Sequence, residues 1–282
     1  QLPPAKSAEL DVGCRPDNVL GTEAQPAIRQ LSAKQIGRRN LPVPPHAKRR
    51  RTYTTNQFHT LAEVEWLVAD LIPKAGVGIV YGASGSGKST LCLDLARSVC
   101  TGESWAGHAV HQGNVLYCCL EGGPGMRQRA VATERHFGFN FGDRLQWLFG
   151  DLSLASEDDI NDLAATAIAG NIALIVIDTL SASIRGVLDE SSNPHMSRML
   201  QLAYRLAEMT GATVLIVHHA GHRSDHERGA STLRNDVDTS ISVSMSSGRG
   251  TWKAVKSKDG PTGLSGRFDL LPVFTSSADG EW

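Results

Sequence analysis

A glycine-rich stretch in the first third of the chain carries the residue types that hold phosphate groups. Residues 82–90 match the pattern G-x-x-x-x-G-K-[ST] at Gly82, Gly87, Lys88 and Ser89. In this pattern backbone N–H groups curl around the phosphates, the lysine reaches the β- and γ-phosphates, and the hydroxyl binds Mg²⁺. We therefore expect nucleotide contacts from the whole stretch: Gly82, Ala83, Ser84, Gly85, Ser86, Gly87, Lys88, Ser89 and Thr90.

A single carboxylate, Asp178, ends the apolar run Ala173–Ile177. An aspartate at the end of such a strand is expected to join Ser89 in holding Mg²⁺. The plainer interpretation is an ordinary strand-end aspartate. In many ATPases the next residue is a glutamate that orients the attacking water, but here it is Thr179. The water-orienting base must therefore come from elsewhere in the chain.

The stretch NVLYCCLEGG, residues 114–123, supplies a candidate base in Glu121. Ligands of open α/β sheets collect at the carboxyl ends of parallel strands, so a strand-end glutamate belongs to the same edge as the phosphate loop. We expect Glu121 to face the γ-phosphate if its strand neighbours the strand before the phosphate loop. The alternative is a glutamate that only caps a loop.

The elements that must position these residues follow from the hydrophobic pattern. From Leu61 onward, strand-length runs that are apolar throughout alternate with helical patterns, which indicates a parallel sheet covered by helices on both faces. One such strand, residues 78–81, precedes the phosphate loop, and a helix, residues 90–99, follows it. After His219 the segments become short or alternating, which predicts antiparallel edge strands. The fold class is α/β.

Two regions differ in composition. Residues 1–60 contain seven of the twelve prolines and the basic run KRRR at 48–51, so we expect an irregular arm or linker there and an ATPase domain over 61–282. The basic run could bind nucleic acid or a partner, although a solvated linker is favoured.

Charge and cysteine content narrow the class of protein. The net charge of −1 excludes a uniformly basic nucleic-acid-binding surface, and no apolar run approaches the roughly 18 residues of a membrane-spanning helix. Five scattered cysteines without CxxC spacing favour buried, reduced thiols. We expect a cytoplasmic protein without membrane contact.

Six stretches in this order resemble RecA-type ATPases, specifically the branch of plasmid RepA-type and bacterial DnaB-type hexameric replicative helicases. The resemblance covers about residues 61–272 and is carried by GASGSGKS, LYCCLEGG, LIVIDTLSA, VLIVHHAGH, RGASTLRNDVD and KSKDGPTG. It implies a RecA-like fold, hydrolysis of ATP with Mg²⁺, and Glu121 as the catalytic base. It also implies a homo-oligomer, a hexameric ring with single-stranded DNA in its central pore.

The same resemblance assigns roles to residues near the carboxyl terminus. His219 is expected to sense the γ-phosphate, with His218 as the alternate and a structural histidine as the plainer interpretation. Arg228 is expected to act as an arginine finger on a neighbouring subunit. Lys256 and Lys258 correspond to a lysine and an arginine finger of the bacterial type, but lysine stands here in place of the arginine. Each of these cations could instead be a solvated surface charge.

Two loops are candidates for DNA contact, and two other functions compete with the helicase. The resemblance implies that the polar stretch 220–227, with Gly221 as a candidate hinge, lines the pore and contacts DNA phosphates. Residues 149–159 are the second candidate, but they are acidic and poorly suited to phosphates. A RecA/KaiC-like regulatory or recombination ATPase would bind DNA or protein without unwinding. A small-molecule kinase would share the phosphate loop but would need no base such as Glu121, so it ranks last.

Overall fold

The structure, a computed structural model, describes residues 52–60, 63–219 and 230–274. Its described residues fall into two units, a short one that ends at Glu63 and a main one that begins at Val64. The described part of the short unit contains one helical turn, α1 (Thr55–Phe58), which Thr54 and Gln57 close with a capping box. Most of the predicted arm, including KRRR at 48–51, lies outside the described residues.

A mixed sheet forms the centre of the main unit. Its described strands are β3 (Val77–Gly82), β4 (Asn114–Cys119), β5 (Leu145–Phe149), β6 (Ile172–Asp178), β7 (Thr213–His219), β8 (Thr239–Ser246), β9 (Arg249–Ser257) and β10 (Ser265–Asp269). The eight described strands lie in the order β10-β9-β8-β3-β7-β6-β4-β5. The six strands from β8 to β5 are parallel, while β9 and β10 are antiparallel additions at one edge. This arrangement confirms the predicted α/β fold class. A separate antiparallel pair precedes the sheet: β1 (Trp66–Val68) and β2 (Ile72–Pro73).

Helices cover both faces of the sheet. The described helices are α2 (Lys88–Thr101), α3 (Gly123–Phe137), a 3₁₀ turn (Gly142–Arg144), α4 (Glu157–Ala169), α5 (Leu180–Ile184), α6 (Asn193–Thr210) and α7 (Ala230–Asp236). Residues of α2 and α3 belong to one buried cluster, and residues of α4, α5 and α6 belong to the other. None of the described helices has the length and apolar character needed to cross a membrane. The cytoplasmic location stays a prediction.

Strand β6 shows why the central strands are apolar throughout. Leu174 and Val176 pack into the cluster that contains α2, whereas Ile175 and Ile177 pack into the cluster that contains α4 and α6. Side chains alternate between the faces of a strand, so Asp178 continues on the face of Leu174 and Val176. The pleat therefore turns this carboxylate toward the helix that follows the phosphate loop.

The described cysteines are buried free thiols: Cys92, Cys100, Cys118 and Cys119. Burial raises the pKa of Cys118 to about 12, so this thiol stays protonated at neutral pH. A protonated buried thiol packs as a small apolar group and is a poor nucleophile. These four cysteines agree with the buried thiols predicted from spacing, and Cys14 lies outside the described residues.

Candidate active site

The phosphate loop joins the end of β3 to the first turn of α2. Gly85 and Gly87 have φ angles of 76° and 88°, a left-handed region in which glycine avoids a steric cost. A Cβ on Gly82 would lie 2.1 Å from the carbonyl oxygen of Val243, so this position has no room for a side chain. The left-handed φ angles and this close backbone contact explain why glycine occupies these three positions. The buried hydroxyl of Ser86 has no hydrogen-bond partner among the described residues, which fits a loop that completes its bonds with a phosphate.

Lys88 lies buried at the start of α2 and bends back onto the loop. Its ammonium group donates to the carbonyl oxygens of Gly82 (3.0 Å) and Ala83 (2.7 Å). Burial lowers the pKa of Lys88, while the nearby Asp178 carboxylate opposes that shift. An incoming phosphate offers this desolvated cation a charged partner in place of two neutral carbonyls, which makes the binding of an anion favourable.

Replacing Lys88 with alanine is expected to weaken ATP binding roughly 10- to 150-fold, the range for losing a hydrogen bond to a charged group. Titration with ATP, followed by calorimetry or with a fluorescent analogue, measures the change. Lys74→Ala is the matched control. Lys74 lies between β2 and β3, at the end of the sheet opposite the phosphate loop, and its ammonium group pairs with the Glu65 carboxylate. Equal affinities for the two variants would contradict the assignment of the phosphate loop.

A buried tyrosine connects the two residues predicted to hold the metal. The Tyr117 hydroxyl donates to Asp178 Oδ2 at 2.7 Å and lies 3.4 Å from the carbonyl oxygen of Ser89. Burial and the Asp178 charge raise the pKa of Tyr117, so its hydroxyl remains a donor. Sequence reasoning missed Tyr117. The signal was a hydroxyl within an otherwise apolar strand, since a buried tyrosine hydroxyl requires a partner.

The side chains of Ser89 and Asp178 fit a Mg²⁺ site that the nucleotide completes. The described residues hold no group of three or more His, Cys, Asp or Glu side chains suited to a metal ion. Mg²⁺ is commonly bound through one or two protein ligands together with substrate phosphates and water. One hydroxyl and one buried carboxylate beside the phosphate loop match that pattern.

Thr179, the residue in place of a glutamate, begins helix α5. Its side-chain oxygen accepts a bond from the amide of Ala182 at 3.4 Å, and the residue is buried. A hydroxyl in this N-cap position satisfies a helix amide that would otherwise lack a partner. Thr179 therefore has a structural role here, and the base must come from another strand.

Glu121 reaches the site from a position different from the one we expected. Its strand β4 does not neighbour β3, because β7 and β6 lie between them. Instead β4 pairs with β6, with Cys119 opposite Asp178, and the amide of Leu120 donates to the Asp178 carbonyl at 2.8 Å. The condition set for Glu121, a strand next to the phosphate-loop strand, is therefore not met, because two strands later in the chain insert between β3 and β4. Glu121 consequently follows a strand that ends beside Asp178.

The register of β7 separates the two histidines. His219 pairs with Gly82, and His218 pairs with Tyr81. Alternation along the strand puts His219 on the face of Leu215 and Val217, which pack in the cluster that contains α2. Its Nδ1 is buried without a hydrogen-bond partner among the described residues. His218 lies on the opposite face, so the geometry favours His219 as the residue near the phosphate loop.

Lys256 and Lys258, the two lysines predicted to act on a neighbouring subunit, lie at the end of the sheet opposite their own phosphate loop. Ser257 of β9 pairs with the first residue of β8, and that residue pairs with Gly78 near the start of β3. The phosphate loop follows the other end of β3. Lys256 donates to the carbonyl of Asn235, and Lys258 lies 3.5 Å from the Asp238 carboxylate with 64% of its side chain exposed. These lysines therefore do not lie at the phosphate loop of their own subunit.

Of the remaining predicted sites, the structure describes only the acidic stretch. Arg228 and the loop 220–227 lie outside the described residues. The acidic stretch around 157–159 forms the first turn of α4, where Ser156 caps the helix and carboxylates interact favourably with the helix dipole. Its charge is therefore accounted for by helix initiation, which leaves this stretch a weak candidate for DNA contact.

A cavity of about 830 Å³ begins beside the phosphate loop at Thr90. It lies between α2, α3 and the segment after β10. Arg97 forms part of its wall, pairing with Asp94 at 3.1 Å and lying 4.0 Å from the centroid of the Phe137 ring. The Trp105 indole also donates to Asp94 at 3.0 Å. The volume is typical of small-ligand sites.

Comparisons with known proteins agree with this geometry. Residues 44–225, more than half of the chain, match the AAA domain family AAA_25. No curated protein sequence matches the chain. Among solved structures, the RadB recombinase is similar with a TM-score of 0.53 and 20% identity, over 70% of this chain and 88% of that one, which shows a shared fold. The chain belongs to the AAA domain family and is a P-loop ATPase with a RecA-like fold.

Proposed function

We propose that the chain is a Mg²⁺-dependent ATP-hydrolysing motor that acts on DNA as a homo-oligomer. The observation that carries the proposal is the meeting of four features at one edge of the parallel sheet. These features are the phosphate loop after β3, His219 at the end of β7, Asp178 at the end of β6, and Glu121 after β4. An anion site, a carboxylate for the metal and a second carboxylate for the water together are what hydrolysis of a phosphate anhydride requires.

Each side chain has a role in this proposal. The loop amides and Lys88 bind the β- and γ-phosphates, and Ser89 and Asp178 hold Mg²⁺, which neutralises charge on the phosphates. Tyr117 orients Asp178 through its hydrogen bond. Glu121 orients the attacking water and accepts its proton.

His219 is proposed as the sensor of the γ-phosphate. Its strand lies directly beside β3, and the residue pairs with Gly82, the first residue of the phosphate loop. The next residues along the chain form the loop 220–227, which we propose as the DNA-contacting loop. A hydrogen bond from His219 to the γ-phosphate would then link nucleotide binding to that loop through the backbone.

The placement of two lysines supports the proposal that the protein is an oligomer. Lys256 and Lys258 lie at the end of the sheet away from their own phosphate loop. If they contact nucleotide, a neighbouring subunit must supply it. We therefore propose that active sites are completed between subunits, as a hexameric ring with single-stranded DNA in its pore would allow.

A DNA helicase is the leading assignment, and a recombination ATPase is the second candidate. The helicase assignment rests on the order of six sequence stretches and on the strand-end position of Glu121. The second candidate is favoured by the fold likeness to a protein described as a recombinase. Both would bind DNA and hydrolyse ATP, so the distinguishing property is strand separation.

An unwinding assay on a forked duplex separates the two. We expect ATP-dependent release of a fluorescently labelled strand by the parent protein and none by Lys88→Ala. ATP-dependent binding of single-stranded DNA without strand release would contradict the helicase and support the recombination candidate. Filter binding on the same DNA provides the second measurement.

A further inference from the structure

The proposed base, Glu121, forms an ion pair with Arg185, a residue that no sequence pattern indicated. Arg185 follows helix α5, and its Nη2 lies 2.7 Å from Glu121 Oε1. The two residues are 64 positions apart in sequence. Both side chains are accessible to solvent, with 71% of Arg185 and 39% of Glu121 exposed. The pair therefore lies at the open edge of the proposed site.

A guanidinium at this distance changes what the carboxylate can do. The guanidinium occupies one carboxylate oxygen, Oε1, that would otherwise be open to a hydrogen bond from the attacking water. A general base must lie within hydrogen-bond reach of the proton that it accepts. The ion pair therefore engages one oxygen of Glu121 with a partner other than the attacking water.

The position of Arg185 connects it to the metal-side carboxylate. Only α5 separates it from Asp178, and Thr179 caps that helix. The last residues of α5, Ser183 and Ile184, are buried and anchor it against the sheet. Arg185 is therefore held at a fixed place relative to Asp178.

We propose that Arg185 is a positioning residue that holds Glu121 in a resting position, and that this ion pair opens before Glu121 orients the attacking water. The inference rests on the proposed function, because it takes Glu121 as the base. It adds a restraint on that base: the rate of hydrolysis is limited in part by how often the pair is open.

Steady-state ATPase measurements test the restraint. Arg185→Ala is expected to raise kcat about two- to fivefold, the range for losing an exposed ion pair, with KM for ATP unchanged. Arg198→Ala is the matched control, because Arg198 forms a similar exposed pair with Glu157, at 2.7 Å, away from the site. Its kcat should equal that of the parent. An unchanged or lower kcat for Arg185→Ala would overturn the inference.

A double variant shows whether Arg185 acts through Glu121. Arg185→Ala combined with Glu121→Gln should be as slow as Glu121→Gln alone, since the neutral amide forms no ion pair. The same two- to fivefold rise in both backgrounds would mean that Arg185 acts elsewhere, which overturns the inference. A Glu121→Gln variant that hydrolyses ATP normally would instead overturn the role of Glu121, and the restraint with it.

Discussion

Replacing Glu121 with glutamine is expected to slow ATP hydrolysis by roughly 10²–10⁴-fold, the range for losing a general base. The amide is similar in size to the carboxylate but cannot accept the proton of the attacking water. ATP and Mg²⁺ should still bind, because Lys88, Ser89 and Asp178 are unchanged. Single-turnover hydrolysis measures the rate, and a binding titration measures affinity on the same preparation.

Asp178→Asn is the comparison variant for this experiment, because it changes the other carboxylate of the proposed site. It removes the carboxylate that we assign to Mg²⁺, so nucleotide affinity should fall in the presence of Mg²⁺ and change little in EDTA. It leaves Glu121 in place. If Asp178→Asn kept its Mg²⁺-dependent affinity while Glu121→Gln lost it, the division of roles between the two carboxylates would be reversed.

Replacing Arg228 with alanine is expected to slow hydrolysis by about 10³–10⁵-fold, as for other arginine fingers, without loss of ATP binding. A finger stabilises charge that develops on the transferred phosphate, so it contributes to the transition state more than to the bound nucleotide. We propose that the finger comes from a neighbouring subunit, so activity per subunit of the parent protein should rise with protein concentration.

Mixing two inactive variants tests whether the finger comes from another subunit. Arg228→Ala lacks the finger, and Lys88→Ala lacks the phosphate cation. Mixed assemblies contain interfaces that join an intact finger to an intact loop, so part of the activity should return at equal total concentration. No recovery, with mixed assemblies shown to form, would place the action of Arg228 within its own subunit. Lys256→Ala and Lys258→Ala, tested in the same way, show whether the lysines share the role.

The position of the phosphate loop was predictable because its determinants are local. The strand, the loop and the helix that bind a phosphate are consecutive, so spacing alone specifies them, and the φ angles of Gly85 and Gly87 agree with their residue type. The parallel sheet was predictable for a related reason. Strands that are apolar at every position, such as β6, can only be buried on both faces.

The relation between Glu121 and Asp178 was decided by tertiary structure alone. Which strands are neighbours depends on contacts between residues far apart in the chain, and no local pattern reports them. The same holds for the Tyr117 bond to Asp178 across 61 positions and for the Arg185 ion pair with Glu121. It holds also for the faces on which His218 and His219 lie, which follow from the pairing of β7 with β3. The sequence determined which groups could do the chemistry, and long-range strand pairing determined which of them meet.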